Sequence, residues 1–198
     1  MNRPLLILCL AVLAYWSYER WTGRAIDHPP GILVNDAPLQ QDVRPSSFFM
    51  EDYELTRRAR FEIRARVLST EPYHFSRESD LSPLDLALGW RTMSDQAVLD
   101  RIDITQGGRW YHTRYEYPAP LTDAQIIANS SNMHMIPARK SIERRLKKLR
   151  PGDIIELEGY LVDVDHVSGW RWRTSMSRTD TGNGACEIVY VESLSVEL

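Results

Sequence analysis

Alternation of hydrophobic and polar residues is the dominant pattern in this chain, and it predicts strands. The apolar residues Phe61, Ile63, Ala65 and Val67 are separated by charged ones, as in a strand that buries one face. Similar runs occupy residues 109–115, 155–161, 170–176 and 186–191. Turn residues such as Gly and Asp separate several of these runs. The pattern therefore predicts about five strands, three of them in the last third of the chain.

Four short stretches carry the signals of helices instead. Residues 81–90 contain Ser82 as a possible cap and Pro83 at the first helical position, a combination typical of helix N-termini. The other three stretches are residues 94–102, 122–128 and 137–149. Residues 129–135 have no clear period. We therefore expect short helices at the periphery of the sheet.

Together these elements predict an α+β domain. Its centre is a small barrel-like or strongly curved, mainly antiparallel sheet of about five strands with peripheral short helices, after an N-terminal transmembrane helix. Gly159 in the middle of a predicted strand favours coiling of that strand. The predicted helix over residues 137–149 lies between the second and third strands. The oligonucleotide/oligosaccharide-binding fold has its helix between the third and fourth, so the match to that order is imperfect.

An apolar run near the N-terminus predicts a membrane anchor. Residues 4–18 contain no charge and follow Arg3 directly. Aromatic residues cluster at the far end of the run and extend to Trp21, as at a membrane interface. A cleaved signal and an apolar helix packed on the domain are the alternatives. We predict an uncleaved signal-anchor over residues 1–21, a single pass through the inner membrane and a periplasmic globular domain.

The remainder divides into a linker and one domain. Residues 22–53 are interrupted by prolines and are predicted to form a Pro-rich linker, and residues 54–198 the globular α+β domain. The 198 residues carry a net charge of −3 and 26% charged residues. This composition excludes a disordered or strongly basic chain, so a nucleic-acid partner is not expected.

Four strings between residues 80 and 187 support a resemblance. They are DLSPLDLALGWRTMSD (residues 80–95), SNMHMIP (131–137), RPGDIIELEGYLV (150–162) and GWRWRTSMSRTDTGNGACE (169–187). On these strings, and from about Phe61 onward, the chain resembles a family of uncharacterised bacterial proteins. Members of that family are short and membrane-anchored or exported. The resemblance implies a location in the bacterial cell envelope and carries no activity.

Cys186 and His134 are the candidate catalytic residues. The chain has two cysteines, and Cys9 lies inside the apolar run, so Cys186 has no disulfide partner in the domain. An imidazole close to a thiol lowers its pKa and activates it as a nucleophile. These two residues therefore define one alternative, an exported thiol enzyme similar to a transpeptidase. The other interpretation is that Cys186 is a small buried side chain and His134 a hydrogen-bonded loop residue.

Metal and cofactor chemistry receive no support from the sequence. No two of the five histidines lie three or four positions apart, and no paired-cysteine motif occurs, so neither a metal site nor a cofactor is predicted. The carboxylates available for hydrolytic chemistry are interpreted as caps and surface charges. They are Asp80, Asp85, Asp95 and Asp103.

A basic segment precedes the last three predicted strands. Its candidate anion-binding residues are Arg139, Lys140, Arg144, Arg145, Lys147 and Lys148. Such a face can lie on anionic lipid headgroups or bind nucleic acid, although a solvated helix face has the same composition. Trp170 and Trp172 share one face of a predicted strand and are interpreted as core.

These observations favour a binding protein over an enzyme. The prediction is a membrane-anchored bacterial envelope protein whose domain binds or scaffolds an unknown ligand, with an envelope protein or a glycan as a possible partner. The alternatives are the thiol enzyme built on Cys186 and His134, and a cytoplasm-facing module that holds lipid or nucleic acid. Thiol reactivity separates the first two, and membrane topology separates the third.

Overall fold

The computed structural model describes residues 24–177, 180, 182 and 185–197. Within them the chain forms nine strands and four short α-helices, with one 3-10 helix at Arg91–Ser94. The strands are β1 (Leu39–Met50), β2 (Tyr53–Pro72), β3 (Leu84–Gly89), β4 (Ile102–Gly107), β5 (Trp110–Tyr115), β6 (Ser130–Pro137), β7 (Ile154–His166), β8 (Arg171–Trp172) and β9 (Glu187–Val196). The helices are α1 (Arg77–Leu81), α2 (Gln96–Leu99), α3 (Asp123–Asn129) and α4 (Lys140–Leu146).

Seven strands form one strongly curved sheet in the order β1-β2-β3-β6-β9-β7-β8, and β2 also pairs with β7. All pairs are antiparallel except β6 and β9, which run parallel. Strand β2 pairs with both β3 and β7 because it is long. Its residues from Tyr53 to Arg66 pair with β7, while its last residues pair with β3. The pairings therefore lead from β2 through β3, β6, β9 and β7 back to β2.

The curvature has local causes in the strands. The register of β2 shifts between Arg57 and Ala59 against β7, and such irregularities bend a strand. A further shift in the β7–β9 pair falls at Gly159. A Cβ atom on Gly159 would lie 1.9 Å from the Tyr190 carbonyl oxygen, so only glycine lets β9 approach β7 this closely.

The main core lies on the concave side of this sheet. Alternate residues of each strand point into it, because successive side chains of a strand face opposite sides. Examples are Phe61, Ile63 and Val67 of β2, Leu86 and Leu88 of β3, Met133 and Met135 of β6, Leu157 and Leu161 of β7, and Val189 and Val191 of β9. Helix α4 adds Ile142 and Leu146 to the same core. These core positions are apolar, whereas Asp85 and His134 occupy alternate positions of β3 and β6 and face the other side.

Strands β4 and β5 form a separate two-stranded sheet. This hairpin packs through Ile102 on a second buried cluster that includes Ala87 of β3 and Ile126 of α3. Tyr111 secures it further, since its hydroxyl lies 2.8 Å from Ser130 Oγ. The hairpin thus covers one end of the outer face of β3 and β6 and brings its turn, at Gly108 and Arg109, close to that face.

The segment predicted as a linker over residues 22–53 is different in the structure. Residues 39–50 form strand β1, which pairs with β2. Before it, Ile26 N donates to Pro151 O, His28 Nε2 lies 2.8 Å from Gly152 O, and Val34 is 1% exposed. Prolines prevent regular hydrogen bonding within the segment, but they do not prevent bonds from its backbone to other elements.

Two further predictions are wrong. Residues 81–90 do not form a helix, because β3 occupies Leu84–Gly89 and all six of its residues are buried. Residues 130–137, within and after a stretch without a period, form β6. Five strands, β2, β3, β6, β7 and β9, pair in a closed circuit. Counted along the chain, α4 lies between the third and fourth of them, not between the second and third. The sheet also has more strands than the five expected, since β1 and β8 extend it.

The predicted anchor over residues 1–21 lies outside the described residues. Among residues 24–197, as far as they are described, no helix has the length and apolarity needed to cross a membrane.

Candidate functional site

A buried polar cluster occupies the outer face of β3 and β6. Asp85 and His134 are directly opposite each other in this antiparallel pair, and Ala87 and Asn132 form the next opposed pair. Their side chains alternate with the core residues of the same strands. Asp85 is 0% exposed, Asn132 4% and His134 3%. A carboxylate, an amide and an imidazole are therefore held together away from bulk solvent.

Arg109 neutralises the buried carboxylate. Its Nη1 donates to Asp85 Oδ1 at 2.5 Å and to Ser82 Oγ at 3.3 Å. Its Nη2 donates to the Ser82 carbonyl at 2.8 Å. An unpaired buried carboxylate is strongly unfavourable, so Arg109 supplies the partner that Asp85 needs in this buried position.

The backbone of Arg109 is in an unfavourable conformation. It has a φ of 70° and follows Gly108, whose φ is 59°. For a residue with a side chain the left-handed region costs about 1–2 kcal/mol. The contacts of Arg109 offset this cost, since its backbone N–H donates to Tyr73 Oη at 2.9 Å and its guanidinium lies 3.9 Å from the Tyr73 ring centroid. Backbone strain of this kind is concentrated at functional sites.

His134 lies between the carboxylate and an aromatic ring. Its Nδ1 is 2.9 Å from Asp85 Oδ1 but is buried without an aligned hydrogen bond. Its ring centroid lies 4.6 Å from that of Trp172 at an interplanar angle of 41°. The Trp172 ring also lies 5.7 Å from the Arg109 guanidinium. Trp172 thus lies close to both the imidazole of His134 and the guanidinium of Arg109.

Cys186 belongs to the same face, but its partners are different from those predicted. Asn132 Nδ2 donates to its Sγ at 3.7 Å, and Sγ donates to the Arg109 carbonyl at 3.8 Å. Burial raises the pKa of the Cys186 thiol to about 11, and the Asn132 hydrogen bond opposes this only in part. His134 does not hydrogen-bond to this thiol, so the protonated and weakly nucleophilic form is favoured.

Two adjacent cavities open onto the cluster. The first, of about 290 Å³, is lined by Arg109, Trp110, His134, Arg171, Trp172, Arg173 and Cys186. The second, of about 220 Å³, shares Trp110 and Cys186 with it. Its other lining residues include Thr113, Ser130, Ser131, Asn132, Asp180 and Glu187. One groove therefore has a cationic, aromatic part and a part rich in hydroxyl, amide and carboxylate groups. We call it the β3–β6 groove.

The cationic part of the groove has an excess of positive charge. Arg171 Nε lies 3.3 Å and Arg173 Nη2 2.6 Å from the same Asp165 oxygen. The hydrogen bond from Arg173 keeps the pKa of the Asp165 carboxyl below its usual value. One carboxylate cannot neutralise two guanidinium groups, and the Arg171 side chain is 73% exposed. An anionic ligand can therefore be attracted here.

The predicted basic face of residues 139–148 lies elsewhere. Arg139 and Arg145 donate to the carbonyls of Glu192 and Leu194, and Lys147 pairs with Glu143. Lys140, Arg144 and Lys148 are exposed. A separate groove beside Arg139, Lys140 and Lys147 also contains Glu51, Asp80 and Glu143. The charge of this second groove is mixed, and the anion-binding role of the six residues stays a prediction.

Other predicted site features have different outcomes. Trp170 and Trp172 are half-buried, on the outer side of the sheet, and are not part of the main core. In the described part of the chain, no three His, Cys, Asp or Glu side chains are arranged to hold a metal ion.

The sequence identified His134 and Cys186 but not their neighbours. Asp85 was interpreted as a cap or surface charge, and the structure corrects this, since Asp85 is fully buried. Its signal is a single acid inside the apolar string Leu84–Gly89. Arg109 follows the pair Gly107-Gly108 at a turn, which indicates a hairpin but not the direction of the side chain.

Comparisons of the chain with protein-family models, with curated proteins and with solved structures found no match. The resemblance to uncharacterised envelope proteins therefore stays a prediction.

Proposed function

We propose that the chain is a binding or scaffolding protein of the bacterial cell envelope whose ligand lies in the β3–β6 groove, and that it is not an enzyme. The fold, the buried cluster and the groove each support one part of this proposal.

The strand order supports a small barrel of the oligonucleotide/oligosaccharide-binding type. With β2, β3, β6, β7 and β9 as strands one to five, the pairing order is one-two-three-five-four-one. Strands three and five are parallel, and α4 follows strand three. In barrels of this order, ligands bind on the face of strands two and three and between the adjacent loops. The β3–β6 groove occupies the corresponding face.

The observation that carries the proposal is the fixed ion pair of Asp85 and Arg109 beneath Trp172. Burying a carboxylate beside a guanidinium rarely increases stability compared with apolar packing. Its presence on the wall of an open groove, with a strained backbone at Arg109, is better explained by a binding site that is organised before the ligand arrives. Binding sites typically combine such a few fixed polar groups with aromatic walls.

The membrane location is proposed from the sequence. The uncharged residues 4–18 and the aromatic cluster after them support a signal-anchor in the inner membrane with the domain in the periplasm. Fractionation tests this part. The full-length chain should sediment with membranes and resist extraction by alkali, and recovery in the soluble fraction would contradict the proposal.

Fluorine NMR tests the binding site directly. Fluorotryptophan labels all six tryptophans, and substitution to Phe assigns each signal. We expect the signals of Trp110 and Trp172 to shift on addition of a member of one ligand class among saccharides, oligonucleotides, peptides and lipid micelles. The signal of Trp90, which is 1% exposed, serves as the internal control. No shift with any class, or shifts confined to other tryptophans, would overturn the binding proposal.

The thiol enzyme is the second candidate, because one observation favours it. Asp85 Oδ1 lies 2.9 Å from His134 Nδ1, close to where the orienting carboxylate of a catalytic triad lies but without its aligned hydrogen bond, and His134 and Cys186 line the same cavity. The raised pKa of Cys186 and its hydrogen bond to Asn132 oppose it. The alkylation experiment described below decides between the two.

A further inference from the structure

We infer that the ligand of the β3–β6 groove is an acidic saccharide, in which a sugar ring that bears a carboxylate is linked to a neutral, hydroxyl-rich ring. This inference rests on the proposed binding function and specifies its ligand class. Four features of the groove support it.

The first feature is the cationic part. Arg171 and Arg173 share Asp165, so one positive charge in excess remains at the entrance of the cavity. Guanidinium groups bind carboxylates through parallel hydrogen bonds. The Arg171 guanidinium is accessible to a carboxylate on a ligand, since its side chain is 73% exposed. An anionic group on the ligand is therefore matched on this side.

The second feature is that the adjoining cavity is lined by neutral polar groups and carboxylates instead of cations. Its walls include Ser130, Ser131, Thr113 and Asn132, together with the carboxylates of Asp180 and Glu187. Side chains that accept hydrogen bonds are suited to sugar hydroxyl groups, because each hydroxyl both donates and accepts. The same carboxylates repel phosphate groups.

The third feature excludes a regular polyanion. A nucleic acid has one phosphate per nucleotide, so a strand that crosses both cavities would bring negative charge to Asp180 and Glu187 as well as to Arg171. A saccharide that alternates acidic and neutral rings matches both parts of the groove. The net charge of −3 for the whole chain also gives no long-range attraction for nucleic acid.

The fourth feature is the position of the aromatic rings. Trp110 is common to the two cavities and is 40% exposed, while Trp172 lies over His134 at a centroid distance of 4.6 Å. The apolar face of a sugar ring can pack on such a ring, because indole has a large apolar surface. Trp110 is placed to contact the ligand where one ring follows the next.

Titration of the full-length chain in a detergent without sugar groups tests this inference. The probes are a hyaluronate hexasaccharide, in which acidic and neutral rings alternate, a neutral chitin hexasaccharide and a hexathymidylate. We expect the hyaluronate probe to bind at least about tenfold more tightly than either other probe, a difference of about 1.4 kcal/mol. Its affinity should fall as salt is raised, because the charges are exposed.

Matched variants localise the effect. Arg171→Glu should weaken the binding of hyaluronate at least about tenfold, whereas Arg144→Glu on α4 makes the same charge change away from the groove and should have little effect. Trp110→Ala provides a second variant at an exposed position and should weaken both saccharides. Thermal unfolding checks that each variant is folded.

Three outcomes would overturn the inference. They are equal binding of the neutral saccharide, tighter binding of hexathymidylate, and unchanged binding in Arg171→Glu. If the fluorine signals of Trp110 and Trp172 respond to another ligand class, the ligand assignment fails and the binding function stands. If they respond to none, the binding function itself fails.

Discussion

Arg109 and Asp85 form the ion pair that joins the turn of the β4–β5 hairpin to the curved sheet. The Arg109 Nη1 to Asp85 Oδ1 distance is 2.5 Å, and the side chains are 16% and 0% exposed. Asp85 lies on β3 of the seven-stranded sheet, and Arg109 lies in the turn of the separate β4–β5 hairpin. The pair therefore fixes the hairpin relative to the face that it borders, and the shape of the β3–β6 groove depends on it.

Removal of Asp85 should reduce stability strongly. Asp85→Ala leaves the Arg109 guanidinium without its counter-ion in a largely buried place, and breaking such a pair costs about 3–5 kcal/mol. Urea denaturation measures the change in the free energy of unfolding. Asp103→Ala, at an exposed position of β4, should change it by less than about 0.5 kcal/mol.

A double-mutant cycle tests whether the two residues act together. Because neither partner is then left alone, Asp85→Ala combined with Arg109→Ala should cost less than the sum of the single changes, by about 0.5–3 kcal/mol. Additive costs would show that the pair does not hold the hairpin.

Trp172 should contribute less to stability than a core aromatic residue of the sheet. Trp172→Ala removes a half-buried ring and should cost about 1–3 kcal/mol, whereas Phe61→Ala, at a position that is 0% exposed, should cost about 3–5 kcal/mol. Thermal or urea unfolding of both variants gives the comparison. Equal costs would indicate that Trp172 is a core residue and would weaken its assignment to the ligand site.

The Cys186 thiol should react slowly in the folded chain. With a pKa of about 11 instead of the usual 9.0, its thiolate fraction near pH 8 falls about a hundredfold. Iodoacetamide alkylation of a Cys9→Ser background measures this rate, with the urea-unfolded chain as reference. His134→Ala should leave the rate unchanged. Fast alkylation near pH 6 that disappears in His134→Ala would support the thiol enzyme instead.

Tyr111 should make the fold sensitive to alkaline pH. Burial raises the pKa of Tyr111 from 10.0 to about 12, so the folded state favours the neutral phenol. The stabilisation of the folded state by the neutral phenol is complete below pH 10. It is lost as the pH rises through about 12. Tyr111→Phe cannot ionise, so its stability should fall less between pH 10 and 12, by about 2 kcal/mol. The variant also lacks the hydrogen bond to Ser130 at every pH. Both chains need a Cys186→Ala background, because the thiol titrates in the same range. An identical loss in both would exclude Tyr111 as its source.

Gly159 should tolerate no side chain. In Gly159→Ala the new Cβ would overlap the Tyr190 carbonyl oxygen, and β7 and β9 would have to separate. We expect a loss of more than about 3 kcal/mol, or no folding. Gly107→Ala is the control, since a Cβ atom there meets nothing within 4 Å. Circular dichroism during heating compares the two, and similar unfolding temperatures would contradict the close strand approach.

The sequence predicted the strands that have one solvated face and missed those that have none. The alternation around Phe61 identifies β2 because Glu62 and Arg64 remain partly accessible between its buried apolar residues. In β3 and β6 nearly every residue is buried, since the core covers one face and the hairpin and Trp172 cover the other. A strand covered on both sides loses its period of two.

The candidate site was predicted in part for the same reason. His134 and Cys186 were recognised by residue type alone. Asp85 and Arg109 are 24 positions apart, and they meet only because the β4–β5 hairpin folds back over β3. No local spacing encodes that contact. The sequence failed to predict the strands β3 and β6, and the site is built on these strands. The site residues Asp85 and Arg109 were therefore missed for the same reason.

The contact between Ile26 and the turn at Gly152 has a consequence for the motion of the whole molecule. Gly152 has a φ of 96°, and a Cβ atom on it would lie 2.2 Å from the Ile26 carbonyl oxygen, so the two backbones touch. His28 and Val34 are fastened to the domain in addition. The chain around Ile26, His28 and Val34 is thus fastened to the domain and is not a free linker. A spacer that lets the domain move relative to an attached group must therefore lie outside residues 26–34.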